Sequence, residues 1–185
     1  MLAALLVVVS LPAGVLVAGD ACDQLPAMSW TDACAQSCNN STPACTKLCE
    51  DTLSTAPPGP TAQTIAVFAV AAARQARVRY AATIIDVINP MLGAGNLPKA
   101  ERLVVDLCKE RYVAADALLA AVVDQLVACD DLGNVRQEYV DAQVGIATCQ
   151  NVLAPYQFLQ LYSMVSADYD MTMVAYELGA LIVFK

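Results

Sequence analysis

Two pairs of cysteines spaced four residues apart, Cys34 with Cys38 and Cys45 with Cys49, stand six residues from one another. Side chains at i and i+4 lie on one face of a helix. Each pair therefore reads as the inner face of a short helix, and the stretch Asn39-Asn40-Ser41-Thr42 between them reads as a turn. A helical hairpin closed by its own sulfurs follows, and the spacing admits two pairing schemes. In one, Cys34–Cys49 is the outer bridge and Cys38–Cys45 the inner. In the other, Cys38 meets Cys49 and Cys34 meets Cys22. The nested scheme leaves Cys22 and Cys129 over, and Cys108 and Cys149 complete the eight cysteines. Zinc is the poorer use of these thiols, because the chain has no C-x-x-C pair and no histidine.

Cys108 and Cys149 sit in a different setting, inside long apolar periodicities. Four segments show the spacing that side-on helix packing requires. The first, about 61–92, aligns Val78, Ala81, Ile85, Ile88 and Leu92. The second, about 99–129, aligns Val104, Cys108, Ala115, Leu119, Val122, Leu126 and Cys129. The third, about 134–153, aligns Val135, Tyr139, Ala142, Ile146, Cys149 and Leu153; the fourth, about 167–184, aligns Met171, Val174, Leu178 and Leu181. Cys108 and Cys149 lie at comparable distances on either side of the turn near Asp131. At about 1.5 Å per residue, antiparallel packing brings them level. A Cys108–Cys149 bridge between the second and third helices is the expectation. Strand signals are weak. The fold class read from this pattern is all-α, an up-down-up-down four-helix bundle preceded by a disulfide-braced helical hairpin.

Residues 1–19 carry no charged side chain and end in Val17-Ala18-Gly19, the form of a secretory signal peptide. The run Ser54-Thr55-Ala56-Pro57-Pro58-Gly59-Pro60 breaks helical structure and separates the hairpin region, 20–60, from the bundle, 61–185. Eight cysteines behind such a leader fit an oxidising, extracellular setting. The C-terminal apolar stretch Val174–Phe184 is too short to span a bilayer and contains Glu177, so no membrane association is expected once the leader is removed.

The net charge of −8 repels nucleic acid and anionic lipid and favours a basic partner. With no histidine in the chain, Ser-His-Asp and Cys-His catalysis and His-ligated zinc drop out. Two acidic clusters remain, Asp130-Asp131 and Asp168-Tyr169-Asp170. Both read as turn or helix-start residues, where Asp caps free N–H groups, rather than as a glycosidase pair. No catalytic residue, metal site or cofactor is implied. Asn39 and Asn40 each begin a glycosylation sequon in the hairpin turn.

Taken together, four stretches resemble the plant invertase and pectin methylesterase inhibitor family. Cys49-Glu50-Asp51-Thr52-Leu53 resembles the family's second hairpin cysteine with leucine four residues on. Asp106-Leu107-Cys108-Lys109-Glu110-Arg111-Tyr112 resembles its D-x-C-x-x-x-Y segment. Tyr139-Val140-Asp141-Ala142 through Cys149 resembles the helix that ends in the partner cysteine, and Glu177-Leu178-Gly179-Ala180-Leu181 its short apolar terminal helix. The cysteine-rich start and the final segment look most like grass members. The resemblance implies a four-helix bundle with a protruding N-terminal hairpin, secretion to the apoplast and one-to-one binding of a cell-wall hydrolase, either pectin methylesterase or acid invertase. Invertase inhibitors of the family carry Pro-Lys-Phe in the loop before the third bundle helix. The corresponding stretch, Asp131-Leu132-Gly133-Asn134-Val135-Arg136, lacks it, and the acidic charge suits a basic pectin methylesterase. A secreted helical binding protein that inhibits nothing is the further alternative, because function resides in the contact surface and not in the scaffold.

Overall fold

The computed structural model describes residues 25–39, 41–55, 63–129, 132–156 and 158–183. The expected leader, Cys22, Asn40 and the Asp130-Asp131 cluster lie outside them. A short bridge opens the described chain: β1 (Ala27–Met28) pairs antiparallel with β2 (Gln63–Thr64), Ala27 opposite Thr64. This pairing, absent from the sequence-based expectation, ties the entry to the hairpin to its exit. Strands of two residues carry no periodicity from which a sequence could announce them.

The hairpin consists of α1 (Trp30–Ser37) and α2 (Pro43–Ser54). Ser29 caps α1: its hydroxyl accepts from the Asp32 amide at 3.1 Å and donates to the Asp32 carboxylate at 2.7 Å. Thr42 precedes Pro43, whose fixed φ and missing N–H suit the first turn of α2. Cys34 joins Cys49 and Cys38 joins Cys45, with Cα separations of 5.6 and 5.8 Å. The structure thus adopts the nested scheme. Cys129 is also disulfide-bonded. Rather than protruding, the hairpin packs its inner face on α7 and α3, burying Ala33, Cys34, Cys49 and Leu53 in the common core.

The bundle is all-α, as expected, and runs α3 (Ile65–Thr83), a π turn (Ile84–Ile88), α4 (Asn89–Gly93), α5 (Lys99–Ala128), α6 (Val135–Leu153) and α7 (Leu159–Val183). Helices α3, α5, α6 and α7 form a closed ring of antiparallel neighbours. The π turn explains how a helix carries Asn89-Pro90. A proline ring collides with the carbonyl four residues back and leaves it without a donor. Widening the preceding turn, with the Asn89 amide donating to the Ile84 carbonyl, relieves that conflict. Gly95 then turns the chain at φ +69°, a conformation that costs a side-chain-bearing residue more.

Two expectations about the bundle need correction. The stripe assigned to the first helix faces largely outward: Val78 and Ile85 are 62% and 63% exposed, and of that set only Ile88 is buried. The packed face is instead Ala69, Ala72, Ala73, Ala76, Tyr80 and Thr83. Small side chains let α3 approach α7 closely, and the extra residue of the π turn then rotates Val87 and Ile88 inward. The fourth helix begins at Leu159, not near residue 167. Leu161, Val165 and Asp168 continue its buried face backward. Asp168 therefore lies mid-helix, and its expected capping role is overturned. By contrast, all six stripe residues of α6 are buried.

Candidate partner-binding surface

The bundle centre is polar and closed. Asp168, 2% exposed, accepts from Arg79 Nε at 2.9 Å, from Thr83 Oγ1 at 2.6 Å and from Tyr112 Oη at 2.8 Å. Thr172 Oγ1 donates its one proton to the Asp168 carbonyl at 2.7 Å, so the 2.5 Å contact with Tyr80 Oη has the phenol as donor. The Tyr80 and Tyr112 rings meet edge to face at 5.3 Å. Three helices are thereby joined through one carboxylate whose charge is matched by Arg79. Burial pushes the Tyr80 and Tyr112 phenols well above the usual range, and the nearby Asp168 charge adds to it. This carboxylate is committed to holding helices together and offers no free face to a substrate.

Further links lie at the helix boundaries. Arg77 Nε and Nη2 grip Asp116 at 2.8 and 3.2 Å between α3 and α5, and that hydrogen bond raises the Arg77 pKa. Gln125 Nε2 donates to Glu138 at 2.8 Å between α5 and α6. Cys108 and Cys149, both fully buried, join the same two helices with Cα atoms 4.8 Å apart. Tyr139 packs its ring on Gly179, where an added Cβ would come within 2.4 Å of Tyr139 Cε2. Its hydroxyl, buried without a hydrogen-bond partner among the described residues, is held protonated by burial alone.

Two features of the exterior differ in character from the rest. One is the apolar display of Val78 on α3, Ile85 in the π turn and Val113 on α5, each more than half exposed. The other is a cleft of about 580 Å³ between the hairpin and α7. Leu48 and Ala44 of α2 form one wall and Ala167, Tyr169 and Met173 the other, with Ser41, Thr42, Arg79 and Asp170 supplying polar groups. Sequence reasoning missed this cleft, since it arises only where the hairpin meets α7. At Glu177, farther along α7, burial raises the carboxyl pKa and the Ser41 hydroxyl opposes the shift.

Among the described residues no group of three or more potential ligands is placed to hold a metal ion, and no helix is long and apolar enough to cross a membrane. Asn39 is exposed in the hairpin turn.

Fold and surface together define a disulfide-braced four-helix bundle with an N-terminal hairpin laid against its α3 and α7 helices. The solved structure of a pectin methylesterase inhibitor from Arabidopsis thaliana has the same fold: the TM-score is 0.57 at 15% sequence identity, over 77% of this chain and 90% of that one. No protein-family profile matches the sequence, and a search of curated proteins found no match either.

Proposed function

We propose that this chain is a secreted protein inhibitor of a plant cell-wall hydrolase, pectin methylesterase, acting in the apoplast by one-to-one non-covalent binding. The observation that carries the reading is the shared fold with a pectin methylesterase inhibitor across nine-tenths of that protein's length. The resemblance of the Cys108 and Cys149 helices to the family's bundle helices supports it, as does a net charge suited to a basic enzyme. Within this reading residues 1–19 are the signal peptide, 20–60 the hairpin and linker, and 61–185 the bundle. Asn39, exposed beside the hairpin turn, is a glycan acceptor.

The test is direct. The oxidised mature protein is mixed with a pectin methylesterase and, separately, with an acid invertase at mildly acidic pH. The expected result is loss of esterase activity near an equimolar ratio with invertase untouched. Suppression of invertase alone would move the assignment to the other branch of the family. Full activity of both enzymes in a large excess of the protein would leave a binding protein that inhibits neither.

A further inference from the structure

The cleft between hairpin and bundle has features that the inhibitor reading does not use. Its volume of about 580 Å³ lies within the range of sites that enclose a small ligand or a few side chains. Its walls are held by rigid elements. The α2 wall is cross-linked to α1 by Cys34–Cys49 and Cys38–Cys45, and the α7 wall is pinned through Asp168 and Thr172. A pre-formed site loses little conformational entropy when it is filled.

The electrostatics select the occupant. Arg79 is the one cation among the lining side chains, and its charge is matched by Asp168 at 2.9 Å. Asp170 lines the same cleft and is exposed, with no ion pair or hydrogen bond to its side chain among the described residues. With Arg79 paired to Asp168 behind the wall, Asp170 is the charge of the lining that no ion pair offsets. Beside that charge stand a tyrosine ring, a thioether and two hydroxyls, Tyr169, Met173, Ser41 and Thr42. An aromatic face attracts a cation, and hydroxyl oxygens accept from an ammonium or guanidinium. Leu48, Ala44 and Ala167 supply the apolar remainder.

We propose that this cleft is a docking site for a basic segment of the partner enzyme: a Lys or Arg side chain set against Asp170 and Tyr169, with its apolar neighbours against Leu48 and Met173. The proposal rests on the inhibitor reading and names a contact surface for it. The occupant is a protein segment rather than a free amine because the cleft is larger than one side chain and opens beside the exposed hairpin turn. Complementary charge with the acidic chain as a whole points the same way.

The test compares three variants with the wild type in inhibition and equilibrium binding of a pectin methylesterase. Asp170→Lys reverses the charge in the cleft. Ala44→Trp narrows the cleft without changing charge. Asp124→Lys makes the same net change as the first, on the exposed face of α5. All three positions are exposed, so helicity and melting temperature check that each variant folds. Asp170→Lys and Ala44→Trp are expected to weaken binding by about tenfold or more, and Asp124→Lys to stay within about threefold of wild type. Equal losses in the two charge variants would reduce the effect to net charge and overturn the cleft. Unchanged inhibition by Asp170→Lys and Ala44→Trp overturns the cleft alone, whereas no inhibition by the wild type brings down the inhibitor reading and the cleft with it.

Discussion

At Asp168 the chain places a carboxylate out of reach of water, which is tolerable only because three donors from two other helices converge on it. Removing one donor while leaving the acceptor buried costs more than the hydrogen bond itself contributes. Tyr112→Phe is therefore expected to destabilise the fold by about 1–3 kcal/mol, seen as a lower urea midpoint. An unchanged midpoint would show that the phenol is not holding the carboxylate. A steric argument applies to Gly179, whose missing Cβ makes room for the Tyr139 ring. Gly179→Ala forces that ring, which meets Tyr176 edge to face at 6.3 Å, to shift, and is expected to cost about 1–3 kcal/mol. A variant as stable as wild type would mean that the ring has space to move. The buried phenols also set an alkaline limit. Tyr80, Tyr112 and Tyr139 have folded pKa values raised above the ordinary 10.0, chiefly by burial. The folded state thus holds their protons more tightly than the unfolded chain does. Their contribution to stability is full below pH 10 and is lost progressively as the pH climbs beyond it. In an alkaline titration their tyrosinate absorbance should rise together with the loss of helical circular dichroism, not before it.

Among the elements, α5 and α6 are the pair most firmly joined, by the Cys108–Cys149 bridge and by Gln125–Glu138. The bridge closes a loop with a sequence separation of 41. Cross-linking over that length stabilises by about 4 kcal/mol in the loop-closure treatment. The double variant Cys108→Ala, Cys149→Ala is expected to keep its helix content and lose about that amount on urea unfolding; a loss under about 1 kcal/mol would place the bundle's strength elsewhere. These same two helices were the most legible in the sequence, and for a physical reason. In α6 every stripe position is buried, and in α5 the stripe from Cys108 to Leu126 is, so there periodicity and burial largely coincide. In α3 the two diverge. Alanines do the packing, while Val78 and, just beyond in the π turn, Ile85 stand outside, and no hydropathy pattern signals that inversion. The π turn before Pro90 shifts the phase once more. In α7 an aspartate that resembled a cap proved to be the hub of the core network, since its partners lie on α3 and α5, far away in sequence. The hairpin spacing indicated cross-linked helices but left two bridge schemes open, because either satisfies the geometry of i and i+4 pairs. The folded hairpin distinguishes them, bringing the Cα atoms of Cys34 and Cys49 to 5.6 Å and those of Cys38 and Cys45 to 5.8 Å. The cleft was illegible because its two walls come from segments more than a hundred residues apart.

For the molecule as a whole, the charge makes a statement about encounter rather than about folding. A protein of net charge −8 approaching a basic enzyme feels an attraction that acts before any contact forms. That attraction fades beyond a Debye length, about 30 Å at 0.01 M salt and about 8 Å at 0.15 M. Contacts inside a partly enclosed cleft are screened much less. The two effects divide between the rate constants: steering governs association, and a charge seated against Asp170 governs dissociation. Stopped-flow or surface-based kinetics with a basic pectin methylesterase should therefore show association slowing by about tenfold or more across that salt range, while dissociation changes little. Asp124→Lys should flatten part of the salt dependence of association, because it reduces the negative charge without touching the cleft. Asp170→Lys should do the same and also speed dissociation. A salt-independent association rate would show that the acidic exterior serves solubility alone, and the choice of a basic partner would lose its physical ground. If instead dissociation carried the whole salt effect, the decisive charges would be exposed at the rim of the contact and not enclosed between the hairpin and α7.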